Sequence, residues 1–200
     1  MRRALLALAL VLSGCAGADL AGGGVPALGL YGGAVTVQGP DGYCVDRAAS
    51  RGAQGFAILA PCTQFGTEGT AFTSGVITVQ VGAAGSAAVT GSEGELAQML
   101  RAQPAMLSAR GQGADIDVRG IDTAPGLVRV EFTDAGPPPS AAVGTGEWRA
   151  FLDIGGRLTT VALRAPAGAP LTAEAGQRLL DRAVATLRAA NGSGATSTEA

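Results

Sequence analysis

Two apolar alternations meet across a glycine pair: Trp148 to Ile154, a turn at Gly155 and Gly156, then Leu158 to Leu163. Alternation at period two gives a strand one apolar and one polar face, and a two-residue glycine turn folds two such strands into a hairpin. This feature constrains the fold most, because a hairpin with one apolar face has to bury that face against another layer. A cover follows a few residues later. Thr172 reads as a helix N-cap, and Leu180, Ala183, Val184 and Leu187 recur at i, i+3, i+4 and i+7 until Asn191 and Gly192 end the helix.

The rest of the chain follows the same two periods. Val35 and Val37, the turn residues Gly39, Pro40, Asp41 and Gly42, then Tyr43 to Val45 predict a hairpin. Phe56 to Ala60 reads as a short buried strand, and Gly75 to Val81 as another, with Ile77, Val79 and Val81 on one face and Thr78 and Gln80 on the other. Ser92 and Glu95 form a capping-box pattern ahead of Leu96, Met99 and Leu100, a short amphipathic helix that Pro104 stops. Ile116 and Val118, then Val128, Val130 and Phe132, predict two strands with one wet face each. Pro137, Pro138 and Pro139 make the stretch from Ala135 to Gly146 a loop. The expected class is α+β: a mostly antiparallel sheet with a short helix and a long C-terminal helix packed on it. In the order of its elements the span 34–191 is similar to the fold shared by the photosystem II extrinsic subunit P family and its bacterial lipoprotein relatives. That resemblance implies a fold and carries no binding residue over.

The beginning of the chain has a different character. Arg2 and Arg3 precede an unbroken apolar run from Ala4 to Leu12, the layout of a secretory signal peptide, and the run falls well short of the ~20 residues of a membrane span. Leu12, Ser13, Gly14 and Cys15 resemble the bacterial lipobox, which implies a signal peptide over 1–14 and a lipid on Cys15. An ordinary signal peptide cut after Ala16 or Ala18 is the alternative. Behind Cys15, residues 15–33 are rich in glycine and alanine and read as a flexible tether to a single domain over 34–191, unless Leu28, Leu30 and Tyr31 already pack on that domain. Residues 192–200 read as a disordered polar tail. The chain has three cysteines, so a lipid on Cys15 leaves Cys44 and Cys62 as a pair. In an exported chain a disulfide is their expected state, and a redox-active pair is the rival, without the C-x-x-C spacing.

The sequence excludes several kinds of chemistry. It contains no histidine, and all 14 of its basic residues are arginine. That removes Ser–His–Asp and Ser–Lys nucleophiles, imidazole metal ligands, Schiff bases and the P-loop lysine. The formal net charge of −2 argues against a nucleic-acid partner. Carboxylates remain. Asp115 and Asp117 project from one face of a strand with Asp122 close by, a set suited to a hard cation or an acid/base pair, or simply a solvated face balanced by Arg119 and Arg129. Gly111, Gln112 and Gly113 look like part of a phosphate loop but precede a strand, so they read as a plain loop. Trp148, the single tryptophan, is core, rim or an exposed partner contact beside the proline loop.

These readings point to a lipid-anchored lipoprotein of the bacterial envelope, held to the membrane through Cys15. It would act as a non-catalytic binding or assembly module, with an envelope protein as partner and no cofactor. The alternatives are a carboxylate-based periplasmic hydrolase and a carrier of a small apolar ligand held between sheet and helix. In a Gram-negative host, Ala16 after the anchor resembles the pattern sorted to the outer membrane, facing the periplasm.

Overall fold

The structure is a computed structural model that describes residues 23–66, 74–110 and 114–192. Cys15, the leader, the Gly111 to Gly113 loop and the tail from 193 on lie outside the described residues. The elements in chain order are β1 (Gly24–Val25), β2 (Ala27–Leu30), β3 (Val35–Gln38), β4 (Tyr43–Asp46), β5 (Phe56–Pro61), β6 (Val76–Val81), α1 (Glu93–Ala102), β7 (Ile116–Ala124), β8 (Leu127–Asp134), β9 (Val143–Ile154), β10 (Arg157–Pro166) and α2 (Ala173–Gly192). Eight strands form one antiparallel sheet in the order β1-β4-β5-β6-β10-β9-β8-β7, and β2 and β3 form a separate two-stranded sheet. The class is α+β, as the two periods require.

The glycine-paired alternation becomes the β9–β10 hairpin, with Ile154 opposite Arg157. Gly155 and Gly156 have φ of 56° and 73°, the doubly positive turn that matches the twist of antiparallel strands. Its apolar face, with Ala150, Leu152, Val161 and Leu163, joins Ile77 and Val79 of β6 under α2, which contributes Leu179, Leu180, Ala183, Val184 and Leu187. The Thr172 hydroxyl accepts the Ala175 N–H at 3.2 Å, so the expected N-cap forms. A second, smaller core lies on the opposite face, where Ala97 and Leu100 of α1 and Leu107 meet Val128, Val130 and Phe132 of β8.

Cys44 and Cys62 form a disulfide with their Cα atoms 4.9 Å apart, which ties β4 to the end of β5. Closing a loop of this length stabilises the fold by about 3 kcal/mol, chiefly by restricting the unfolded chain.

Four expectations change. The Gly39–Gly42 turn does not close a hairpin: β3 pairs with β2, and β4 pairs with β1 and β5, so the turn carries the chain from the small sheet to the large one. Periodicity defines strands but not their partners. The folded part takes in residues ahead of the expected boundary at 34. From Gly24 on the chain is strand, Leu30 is fully buried, and the Tyr31 hydroxyl donates to the Val81 carbonyl at 3.0 Å while its ring lies under the Arg157 guanidinium. The capping box does not form either. Ser92 makes no side-chain cap, and Glu93 rather than Glu95 acts there, its Oε1 accepting the N–H groups of Gly91 and Gly126. The proline loop is shorter than expected, because β9 starts at Val143, where pairing to Pro166 and then to β8 extends a glycine-rich segment that has no strand preference of its own.

No helix among the described residues is long and apolar enough to cross a membrane.

Candidate binding groove

The two faces of the large sheet are treated unequally. On the α2 face, Ala57, Leu59, Ile77, Val79, Val161 and Leu163 are buried. On the other face α1 packs against β7 and β8, and the side chains of β5, β6 and β10 that alternate with the buried set, among them Phe56, Ile58, Val76, Thr78 and Ala162, are only half-buried. Over them lies a groove of about 700 Å³ whose far wall is the proline loop, with Pro137, Pro139 and Ser140. Most of its floor is apolar.

One end of the groove is charged. Glu147 and Arg149 stand two residues apart on β9, and Arg164 of β10 is in register with Glu147, so all three share this face. Glu147 is 1% exposed. Its Oε1 accepts the Arg149 Nε–H at 2.6 Å and its Oε2 pairs with Arg164. Arg149 also donates to the Leu107 carbonyl at 2.9 Å and lies over the Phe132 ring, and Arg164 donates to the Gly144 carbonyl at 3.2 Å. The two guanidiniums keep 19% and 18% of their side-chain surface in solvent. Beside them Asp134 ion-pairs with Arg110, accepts from the Ser108 hydroxyl at 2.8 Å and accepts the Gly136 N–H at 2.9 Å. Burial pulls the Asp134 carboxyl upward, and these donors together bring it below the ordinary carboxylate value. This clasp holds the proline loop over the groove.

Glu147, Arg149 and Arg164 did not stand out in the sequence, where they fall on the polar phase of the hairpin and look like a solvated face. The signal was present nonetheless. A two-residue turn at Gly155 and Gly156 fixes Ile154 opposite Arg157, and counting outward places Glu147 opposite Arg164.

The residues singled out in the sequence are not brought together here. Asp115 precedes β7 and is exposed, and Asp117 and Asp122 are exposed on β7, the sheet edge. A bulge after Val118 resets the alternation, so Asp122 registers with Arg129, whose guanidinium is bound to Asp181 of α2 at 2.9 Å, while Asp117 lies 3.8 Å from Arg119. Among the described residues no group of three acidic or cysteine side chains is placed to hold a metal ion. Trp148 is not a surface contact: it is 5% exposed and packs in the core under Gly176 of α2, where a Cβ would overlap the indole ring. It shares its face of β9 with Ala150 and Leu152, the face that α2 covers.

No family model and no curated protein matches the chain. Among solved structures it is similar to the Saccharomyces cerevisiae Ran-binding protein Mog1p, with 14% identity and a TM-score of 0.43 over 84% of this chain and 92% of that one. It is similar to the same extent to a glutamate-to-alanine mutant of protein Mog1, at 13% identity and a TM-score of 0.43, with the same coverage.

Proposed function

We propose that the protein is a lipid-anchored, non-catalytic binding module of the bacterial cell envelope, held to the membrane through Cys15, and that the groove on the helix-free part of its sheet is where it binds. The observation that supports this most is the groove's composition: a half-exposed apolar floor ending in a buried carboxylate gripped by two arginines. Ligand sites combine an apolar lining with a few fixed polar groups in this way. Both oxygens of Glu147 are engaged by guanidiniums, and Asp134 is held by three donors, so the carboxylates of the groove are committed to structure rather than aimed at a reacting atom. A carboxylate-based hydrolase needs two such groups free across a cleft.

The test is a photoreactive amino acid at Ser140, on the groove rim, in the full chain expressed in intact envelopes, with the same residue at Arg178 on the opposite face as control. An adduct, to protein or to lipid, is expected from Ser140 only. Equal labelling from both positions, or none from Ser140, would overturn the groove as the site. Separately, Cys15→Ser is expected to abolish acylation and membrane retention, and a variant still labelled with palmitate would overturn the anchor.

A further inference from the structure

The balance of charge in the groove and its place relative to the anchor point to one ligand class. Resting on the reading just given, we propose that the groove holds a single-chain fatty acid, its carboxylate between Arg149 and Arg164 and its chain along Phe56, Ile58, Val76 and Ala162.

The head is argued from donors and charge. Two guanidiniums share the single carboxylate of Glu147, and the neighbouring Arg110 is already matched by Asp134. The charged end of the groove is therefore one positive charge in excess, in surroundings that are four-fifths removed from water. Each guanidinium has five N–H donors. Among the described residues, Arg149 commits three of them, two to Glu147 and one to the Leu107 carbonyl. Arg164 likewise commits three, to Glu147 and to the Gly144 and Thr145 carbonyls. Two donors remain on each, and an incoming carboxylate would both neutralise the excess and accept charge-assisted hydrogen bonds from two guanidiniums.

The chain is argued from the floor and from position. The volume of about 700 Å³ lies within the range of small-ligand sites, and beyond the ion-paired Arg110, Asp134, Glu147, Arg149 and Arg164 the lining is apolar or hydroxyl-bearing. β1 is the edge strand of the large sheet and β5, the first strand of the groove floor, lies two strands in, about 10 Å away at ordinary strand spacing. Nine residue steps separate Cys15 from Gly24, a reach of at most about 30 Å. A chain anchored at Cys15 thus holds this side of the sheet close to a bilayer, where free fatty acids partition.

The test uses the full acylated chain in phosphatidylcholine vesicles with a diazirine-bearing hexadecanoate, the adducts being mapped by mass spectrometry. Labelling is expected on the peptides carrying Ile58 and Val76 and should be competed by hexadecanoate but not by hexadecanol. Ala162→Trp should remove it by filling the floor. The two charge variants should move in opposite directions. Arg164→Gln lowers the yield and Glu147→Gln, which frees both guanidiniums, raises it, each by about fivefold for one strong charge-assisted contact. Loss of fold cannot produce opposite signs. Equal competition by hexadecanol, labelling indifferent to Ala162→Trp, or both charge variants shifting the same way would overturn the proposal. A protein adduct from the Ser140 experiment with no fatty-acid labelling here would sink the fatty acid and leave the binding module standing.

Discussion

Asp153 on β9 shows how much one side chain can organise. Its Oδ1 accepts the Ala88 N–H at 3.0 Å, and its Oδ2 accepts those of Val89 at 3.0 Å and Thr90 at 2.8 Å, so a single carboxylate ends the loop that leads into α1. Partial burial raises the affinity of this carboxyl for a proton, and the three N–H bonds outweigh that and hold it below its ordinary value of 3.8. Asp134 is lowered in the same sense, and Glu93 is lowered from 4.5 by the backbone N–H groups of Glu93 itself, Gly126 and Gly91. A depressed folded pKa contributes stability that is present above the unfolded value and is lost as the pH falls through the folded one. Denaturant titrations should therefore find stability level between about pH 5 and 7 and falling steadily below about pH 4. Asp153→Ala should lower stability at pH 7 by about 1–3 kcal/mol, since it strands three loop donors, and should flatten the acid limb. An unchanged acid limb would mean that Asp153 is not one of its sources. Asn191 plays a comparable part at the other end of the molecule: its Oδ1 accepts the Thr36 N–H at 2.9 Å and its Nδ2 donates to the Thr36 carbonyl at 2.8 Å. Asn191→Ala should cost about 1–2 kcal/mol for the loss of these two bonds and of the Nδ2 bond to the Leu187 carbonyl, with hydrogen exchange of the Thr36 amide rising more than that of β10.

At the scale of elements, α2 and the β9–β10 hairpin depend on a close approach. Gly176 sits in the first turns of α2 against the Trp148 ring, with no room for a methyl group. Glycine in a helix interior ordinarily costs about 1 kcal/mol relative to alanine, so on propensity alone Gly176→Ala would stabilise. Here packing decides the sign: the overlap with a rigid indole should make Gly176→Ala destabilising by about 1–3 kcal/mol, measurable by thermal unfolding, and a stabilised variant would show that α2 does not seat on Trp148 this way. The same contact selects core for Trp148, which the sequence left open among core, rim and partner contact. Period two assigns it a face, and only the glycine on a helix 28 residues later makes that face the inside. β7 carries a similar lesson, because its bulge after Val118 moves Asp122 to the same side as Asp117, a reset that no strict alternation foretells.

The whole molecule is divided by how its sheet is covered. One face carries α2 and the larger core, the other carries α1 mainly over β7 and β8, and strands β5, β6 and part of β10 floor the groove. The Cys44–Cys62 disulfide stitches β4 to β5, next to the β1 edge of the sheet. Reduction should lower global stability by about 3 kcal/mol, and because the bond lies at β4 and β5 it should loosen the amides of those strands before those of β9. Uniform loss across the sheet would instead place β4 and β5 in the same cooperative unit as the hairpin.

By itself the amino-acid sequence determined the elements that rest on local periods and local capping: the β9–β10 hairpin with its glycine turn, the N-cap at Thr172, the apolar stripe of α2, and hence the α+β class; it pointed to Cys44 and Cys62 as a pair only on the reading that Cys15 is lipidated, and the fold brings the two together. It also ruled out histidine and lysine chemistry, since composition needs no fold. Tertiary structure alone decided the partner of β3, the docking of Leu30 and Tyr31, the burial of Trp148 and the meeting of Glu147, Arg149 and Arg164 in a groove. The reason is physical. A period reports which side of an element is apolar, whereas pairing, burial and charge clusters arise where elements distant in sequence meet, and those contacts are chosen by the packing of the entire chain.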